Sequence, residues 1–374
     1  MTIAPPLALL AELTHRCPMR CVYCSNPLQL EPARAELNSD SWRRVLDEAA
    51  DLGVFQVHFS GGEPLVRDDL ATLIAHAAGC GLYSNLITSG ILLDAERARR
   101  LADAGLEHVQ ISVQDIDREG TERIGGLMGA CEQKKRAAVW IKDAGLALTL
   151  NTVIHRHNCG RVEELIALAV ELGAGRLEVA HVQYYGWGLV NRAALIPTRE
   201  QLEETTRVVK AARERLAGVL VIDYVVPDYY ARLPKACMGG WGQRFINIDP
   251  TGRVLPCHAA TTIPGLSFET VHERGLADIW ESSPAFQRFR GTAWMAEPCR
   301  DCERRETDWG GCRCQALALT GNAANADPAC YKSPWHEQIA ALAATEAEEP
   351  APRFTYRGAG RGTGRRRASN APPP

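Results

Sequence analysis

Leu13–Ser25 reads LTHRCPMRCVYCS and places Cys17, Cys21 and Cys24 within eight residues, directly after the first apolar run of the chain. Three soft thiolates on one short loop converge on a metal. A structural zinc ion closes its sphere with four protein ligands. A four-iron cluster held by three thiolates keeps one iron open for an outside ligand. The spacing therefore favours a [4Fe-4S] cluster with a vacancy for a substrate or cofactor. The competing reading is a zinc site completed by His15 or by a remote residue.

Around this loop the chain alternates β-branched runs with amphipathic helical stretches. Strand candidates are LALLAEL, VFQVHFS, LYSNLITS, HVQISVQ, ALTLNTVI and RLEVAHVQ. Helical segments such as SDSWRRVLDEAADLG and RVEELIALAVELG lie between them. Ser39 or Asp40 is expected to cap the first helix and Gly53 to end it. Six β-then-α units predict an α/β fold of parallel strands, an open (β/α)6 partial barrel of TIM type, over residues 1–225. Chemistry in such folds gathers at the C-terminal ends of strands, and the cysteine loop follows strand one.

The whole chain has 374 residues, 46% hydrophobic and 23% charged, with a formal net charge of -3. That balance gives no general reason to expect nucleic acid or membrane as a partner. No stretch is apolar enough to span a bilayer, and the first residues lack the features of a signal peptide, so a cytoplasmic protein is expected. Thirteen cysteines in a reducing compartment point to metal ligands rather than disulfides. From about Cys237 helical periodicity fades and Gly, Pro and Cys become frequent. Residues 226–340 thus read as a small domain stapled by metal. The stretch 341–374, with six Arg and no acid after Glu349, reads as a disordered tail.

The Cys-x3-Cys-x2-Cys motif, with Tyr23 before its last cysteine, resembles the signature of the radical S-adenosylmethionine (SAM) enzymes. In that family the open iron chelates SAM, and reductive cleavage yields a 5′-deoxyadenosyl radical that abstracts hydrogen from a substrate. The resemblance implies an enzyme, an oxidoreductase, with the partial barrel as its fold. It also implies a SAM site at Gly61, Gly62, Glu63 and Pro64 after the second strand. There, glycine carbonyls and the Glu63 carboxylate would accept the SAM ammonium. Ser112 and Arg123 resemble the pair that meets the SAM carboxylate, and Asn151 the ribose contact. Where relatives read Ser-x-Asp after strand four, this chain reads Ser112-Val113-Gln114-Asp115. Ser112 and Asn151 also read simply as strand ends.

The C-terminal cysteines resemble the SPASM extension of radical SAM enzymes that modify ribosomal peptides. Cys237, Gly252, Cys257, Cys299, Cys302, Cys312 and Cys330 fit its pattern, but Asp308 stands where a cysteine is expected, and Cys314 is an extra. The resemblance implies two closed auxiliary iron–sulfur clusters. Cys299, Cys302, Asp308 and Cys330 would hold a [4Fe-4S] cluster. Cys237, Cys257, Cys312 and Cys314 would hold a [4Fe-4S] or [2Fe-2S] cluster. The alternative is a pair of zinc sites.

Asp308, the Cys312-x-Cys314 pair and the run VQYYGWGLVNR, residues 182–192, narrow the resemblance to the peptide cyclases of pyrroloquinoline quinone (PQQ) biosynthesis. These form a C–C bond between a Glu γ-carbon and a Tyr ring carbon of a small precursor peptide. Implied partners are that peptide, a peptide-chaperone protein of the same pathway, and an electron donor such as flavodoxin or ferredoxin. Tyr184, Tyr185 and Trp187 read either as packing or as a stacking wall for a peptide's aromatic side chain. His155–Cys159, HRHNC, reads as a loop with surface histidines, and Cys80, Cys131 and Cys159 as spare thiols. Competing functions are another SPASM ribosomal-peptide or sulfatase maturase, an iron–sulfur electron carrier, and a zinc-stabilised binding protein without chemistry.

Overall fold

The computed structural model describes residues 3–358. Its centre is one nine-stranded sheet: β1 Ala8–Glu12, β2 Gln56–Ser60, β3 Tyr83–Thr88, β4 His108–Val113, β5 Ala147–Ile154, β6 Arg176–His181, β7 Val221–Val225, β8 Phe245–Ile248 and β9 Val254–Leu255. The order is β7-β6-β5-β4-β3-β2-β1-β8-β9. Every pairing is parallel except β8 with β9. The six expected strands stand at the expected places. β7 adds a seventh, and β8 lies parallel to β1, so the sheet is open and runs on into the cysteine-rich region.

Period-two alternation sorts the side chains. Val57, Phe59, Val109, Ile111, Leu148, Leu150, Leu177 and Val179 point into the main core shared with the helices. The alternate positions are polar and pair across strands. His58 Nδ1 meets Asn85 Nδ2 at 3.0 Å, His108 Nε2 meets Thr149 Oγ1 at 2.7 Å, and Asn151 donates to Glu178 at 2.6 Å. One face of the sheet is thus sealed by helices and the other is left polar for a ligand.

Two expectations are corrected. The first helix, Ser39–Asp51, is capped by Asn38, whose side chain accepts from Ser41 N at 2.9 Å; Gly53, at φ 90°, does follow its end. The cysteine-rich region expected from 226 contributes residues to two cores. Ile246, Ile248, Val254, Leu276, Trp280 and Phe286 belong to the main core, while a second, small core surrounds Cys257 and Cys314. The tail expected from 341 starts later. Helix His336–Glu348 buries Ile339, Ala343 and Ala347, four residues apart on one stripe, against Val22, Tyr184 and Tyr229. Arg192 pairs with Glu346 beside it at 2.7 Å. Most of the Arg-rich stretch, residues 359–374, lies outside the described residues.

Candidate functional site

The loop after β1 is held from two sides. Arg20 N and Val22 N donate to the carbonyls of Gly125 (2.8 Å) and Ile124 (3.2 Å), and Cys24 N closes a turn on Cys21 O at 3.1 Å. On the other side, Gly62 N donates to Thr14 O (2.6 Å) and Glu63 N to Arg16 O (2.8 Å). This close approach requires the glycines. A Cβ on Gly62 would sit 2.7 Å from His15 O and nearer still to Arg16 O. A Cβ on Gly61, at φ +127°, would sit 3.0 Å from Thr14 N and nearer still to Thr14 O. Gly61–Glu63 therefore acts as a template for the segment that leads into Cys17.

Glu63 is also bound up within the protein's own fold. Its carboxylate is fully buried and already accepts four hydrogen bonds: from Leu65 N (3.1 Å), Thr88 Oγ1 (2.6 Å), Ser89 N (2.8 Å) and the Ser89 hydroxyl. Two carboxylate oxygens offer about four acceptor positions, and these four bonds occupy them in this structure. Glu63 thus locks the loop after β3. Pro64 opens a short buried 3-10 turn behind it.

Ser112 and Asn151 are direct register partners on β4 and β5, and Asn151 is in turn the partner of Glu178 on β6. The two expected contacts thus share one polar row, to which Glu178 is an addition. Arg123 is not brought to that row. It is exposed, with its guanidinium 5.6 Å from the centre of the Phe354 ring. The cation beneath the row is the buried Lys134, whose ammonium donates to Ser89 O (2.7 Å) and Ser112 O (2.6 Å). Burial lowers its pKa to about 8. Gln114, also unforeseen, places its Nε2 4.0 Å from Cys21 Sγ. Its position just past the C-terminal end of β4 was the available signal.

Tyr23 is half-buried against His155, with ring centroids 6.0 Å apart. His155 is not at the surface. It is fully buried, its Nδ1 accepts from His157 N at 3.2 Å, and burial holds its pKa well below the usual imidazole value. Tyr184 packs edge-on against Tyr229 at 4.7 Å within a buried cluster. Tyr185 reaches the other way, its hydroxyl 2.9 Å from His258 Nε2 beside Cys257. Trp187 N donates to Cys24 O at 3.3 Å. The YYGW loop is therefore a clamp between the two cysteine regions.

The C-terminal ligand candidates gather in two groups. The thiols of Cys237, Cys257, Cys314 and Cys312 lie next to one another, each close enough to two of the others to shift its ionisation. Cys299, Cys302, Asp308 and Cys330 line one small cavity. Asp308 is 7% exposed, accepts from Gly310 N at 3.1 Å and faces Arg304 Nε at 3.5 Å. Asp327, buried behind Cys312, accepts from Cys312 N (2.6 Å) and Gln315 Nε2 (2.7 Å).

These donors suit iron–sulfur clusters. Burial raises the Cys21 thiol to about 12 and the Cys299 thiol to about 11, so such groups ionise only against a strong local cation. A tetrahedral zinc site would draw its sulfurs to about 3.8 Å apart, given Zn–S bonds of about 2.3 Å. Among the described residues, the group whose ligand atoms all lie within 4.8 Å of one another does not include these cysteines. The trio that does converge is Asp47, His76 and Cys80. It is satisfied by its own hydrogen bonds, His76 at 2.7 Å and Cys80 at 3.3 Å from the same Asp47 oxygen. Cys131 and Cys159 are buried apart from both groups.

Residues 11–169 match the radical SAM superfamily and residues 237–303 the iron–sulfur cluster-binding SPASM domain. The chain is similar to the PqqA peptide cyclase of Granulibacter bethesdensis, 59% identical over 373 residues, covering 100% of this chain and 97% of that protein. It is 60% identical over 336 residues to the PqqA peptide cyclase of Gluconobacter oxydans, covering 90% and 93%. Among solved structures, Streptococcus suis SuiB bound to its precursor peptide SuiA superposes with a TM-score of 0.71 at 18% identity, covering 89% of this chain and 76% of SuiB. At that identity the likeness shows the fold.

Proposed function

Because the chain belongs to the PqqA peptide cyclases of the radical SAM superfamily, we propose that it joins a glutamate γ-carbon to a tyrosine ring carbon within the PQQ precursor peptide, an early step of PQQ biosynthesis. The observation that carries this reading is Asp308 in the fourth corner of the Cys299, Cys302 and Cys330 cavity. Maturases that carry cysteine there are the nearest competitors.

The net chemistry is the loss of two hydrogens. One leaves the γ-carbon as an atom, that carbon bonds to the ring, and the ring sheds a proton and an electron to regain aromaticity. When bound, SAM and the clusters supply the radical initiator and the electron sinks. Cys17, Cys21 and Cys24 hold the SAM-binding cluster, and Gly61 and Gly62 let the loop approach. Ser112 and Asn151 meet the carboxylate and ribose of SAM, with Glu178 orienting Asn151 through their hydrogen bond. Half-buried Tyr23 and buried His155 exclude water behind the cluster loop. SuiB has been captured with a precursor peptide, and a peptide is the substrate here, brought by a chaperone of the same pathway in the cytoplasm. A flavodoxin or ferredoxin serves as electron donor. No helix of the described residues is long and apolar enough to cross a membrane.

The test is the intact mass of the precursor peptide after anaerobic incubation with the reconstituted protein, SAM, a reductant and the chaperone. A product lighter by two hydrogens, with the link mapped between Glu and Tyr, is expected. An unchanged peptide alongside accumulating 5′-deoxyadenosine would overturn the peptide assignment and leave the radical SAM chemistry standing.

A further inference from the structure

Residues 349–357 do not leave the protein after helix His336–Glu348; they run back across the cysteine loop. Arg156 holds the turn by donating to Ala347 O (2.7 Å) and Glu349 O (3.2 Å). Phe354 lies edge-on to His157, centroids 5.3 Å apart. Thr355 N donates to Asn191 Oδ1 at 2.7 Å. Asn191 Nδ2 donates both to Thr355 O (3.0 Å) and to Val22 O (2.8 Å), between Cys21 and Cys24. The Tyr356 hydroxyl donates to Arg123 O at 2.7 Å. The strap thus touches the cysteine loop and the helix turn that supports it.

At its end, Arg357 Nη2 donates to Cys17 O (3.2 Å) and Met19 O. Its Nη1 is buried and has no partner among the described residues. Leaving a charged donor buried and unmade is costly. The guanidinium charge acts on all three thiols, Cys17, Cys21 and Cys24. As cluster ligands the three would form an anionic body on the side that the guanidinium faces.

We propose that Arg357 is a positioning residue for the SAM-binding cluster, with Nη1 donating to the anionic face held by Cys17, Cys21 and Cys24, and that the strap exists to hold it there. The proposal rests on the cluster reading of these cysteines, not on the identity of the peptide. Hydrogen bonds and positive charge beside a cluster favour its more negative, reduced state and raise its reduction potential. The strap also narrows solvent access on the Cys17 side, where Arg357 lines a cavity with His15, Arg16 and Glu31.

The experiment is an EPR-monitored redox titration of anaerobically reconstituted full-length protein, wild type against Arg357→Ala and Arg357→Lys. A Cys21→Ala variant identifies the auxiliary signals to be subtracted. Arg357→Ala should shift the one-electron equilibrium of the SAM-binding cluster about tenfold toward the oxidised state, about 59 mV for one electron. Iron content should not change, and Arg357→Lys should recover part of the shift. A wild-type potential in Arg357→Ala overturns the proposal. If Arg357→Ala loses iron, Arg357→Lys decides: a lowered potential sustains the proposal and an unchanged one overturns it. A wild-type protein without any SAM-sensitive cluster signal would overturn the cluster reading itself.

Discussion

Gly62→Ala adds one methyl group where the backbone of the cysteine loop passes. The new Cβ would lie 2.7 Å from His15 O and closer to Arg16 O, whereas real Cβ atoms do not approach within 3.0 Å of such neighbours. The obstacle is backbone, so no rotamer relieves it, and the 14–16 segment must retreat by several tenths of an ångström. That retreat strains the hydrogen bonds Gly62 N to Thr14 O and Glu63 N to Arg16 O, each contributing about 1 kcal/mol. With overpacking of about 1–3 kcal/mol, the expected loss of stability is roughly 2–4 kcal/mol. The same retreat moves Cys17, and misplacing a reacting group by about 1 Å costs about a hundredfold in rate. The assay is anaerobic 5′-deoxyadenosine formation with iron per chain and thermal unfolding, using Gly79→Ala as control. Gly79 ends a helix with nothing within 4 Å of its added Cβ, so that variant should match or exceed wild-type stability. Wild-type 5′-deoxyadenosine formation in Gly62→Ala would refute the template role of Gly61–Glu63.

Glu63→Gln puts an NH2 group among donors and should lower the unfolding temperature with little selective effect on SAM affinity. A large loss of SAM binding at unchanged stability would return Glu63 to the ligand. Asp308→Ala should lower iron content and alter the spectrum of one auxiliary cluster; unchanged iron, spectra and activity would remove Asp308 from the ligand set. The pKa of His58 falls to about 4 by burial, so the unfolded chain takes up a proton from about pH 6.5 downward before the folded one does. Its contribution to stability is complete above about pH 6.5. It is lost by about 1.4 kcal/mol per pH unit as pH falls toward 4. Guanidine unfolding of wild type and His58→Gln between pH 7.5 and 5.5 should show the shallower pH slope in the variant, and parallel slopes would contradict this.

The parts of the fold that were legible in the sequence share one property: their signal is local and repeated. β1 to β6 are each a short run of apolar or β-branched residues followed by a helix. β8 and β9 escaped because FINI and VL are four and two residues long among glycines and cysteines. Only pairing with β1 makes them strands. The cysteine sets were legible because ligand chemistry restricts residue type and spacing. Polar contacts were less so, since the same residue serves a ligand or its own chain depending on what folds around it. Glu63 is consumed by Thr88 and Ser89, and Arg123 turns to Phe354, while Lys134 reaches the strand ends from a helix whose sequence shows no motif. The strap was hidden because the Gly, Pro and Arg composition beyond Glu349 outweighs three anchors, Phe354, Thr355 and Arg357, that have no periodicity.

The position of β1 explains why the cysteine loop can be both short and accurately placed. In an ordinary open sheet the first strand of a parallel series would have one free edge. Here β1 pairs with β2 on one side and with β8 on the other, so the strand that launches the loop is fixed along both edges. β8 comes from the region that also carries Cys237 and Cys257. The same pairing therefore sets the auxiliary ligands at a fixed distance from Cys17, Cys21 and Cys24. The Tyr185 to His258 contact and the Trp187 to Cys24 contact repeat that constraint on the far side of the loop. Electron transfer between such sites depends on separation, and a separation held by a strand pairing and two loop contacts does not need a moving part.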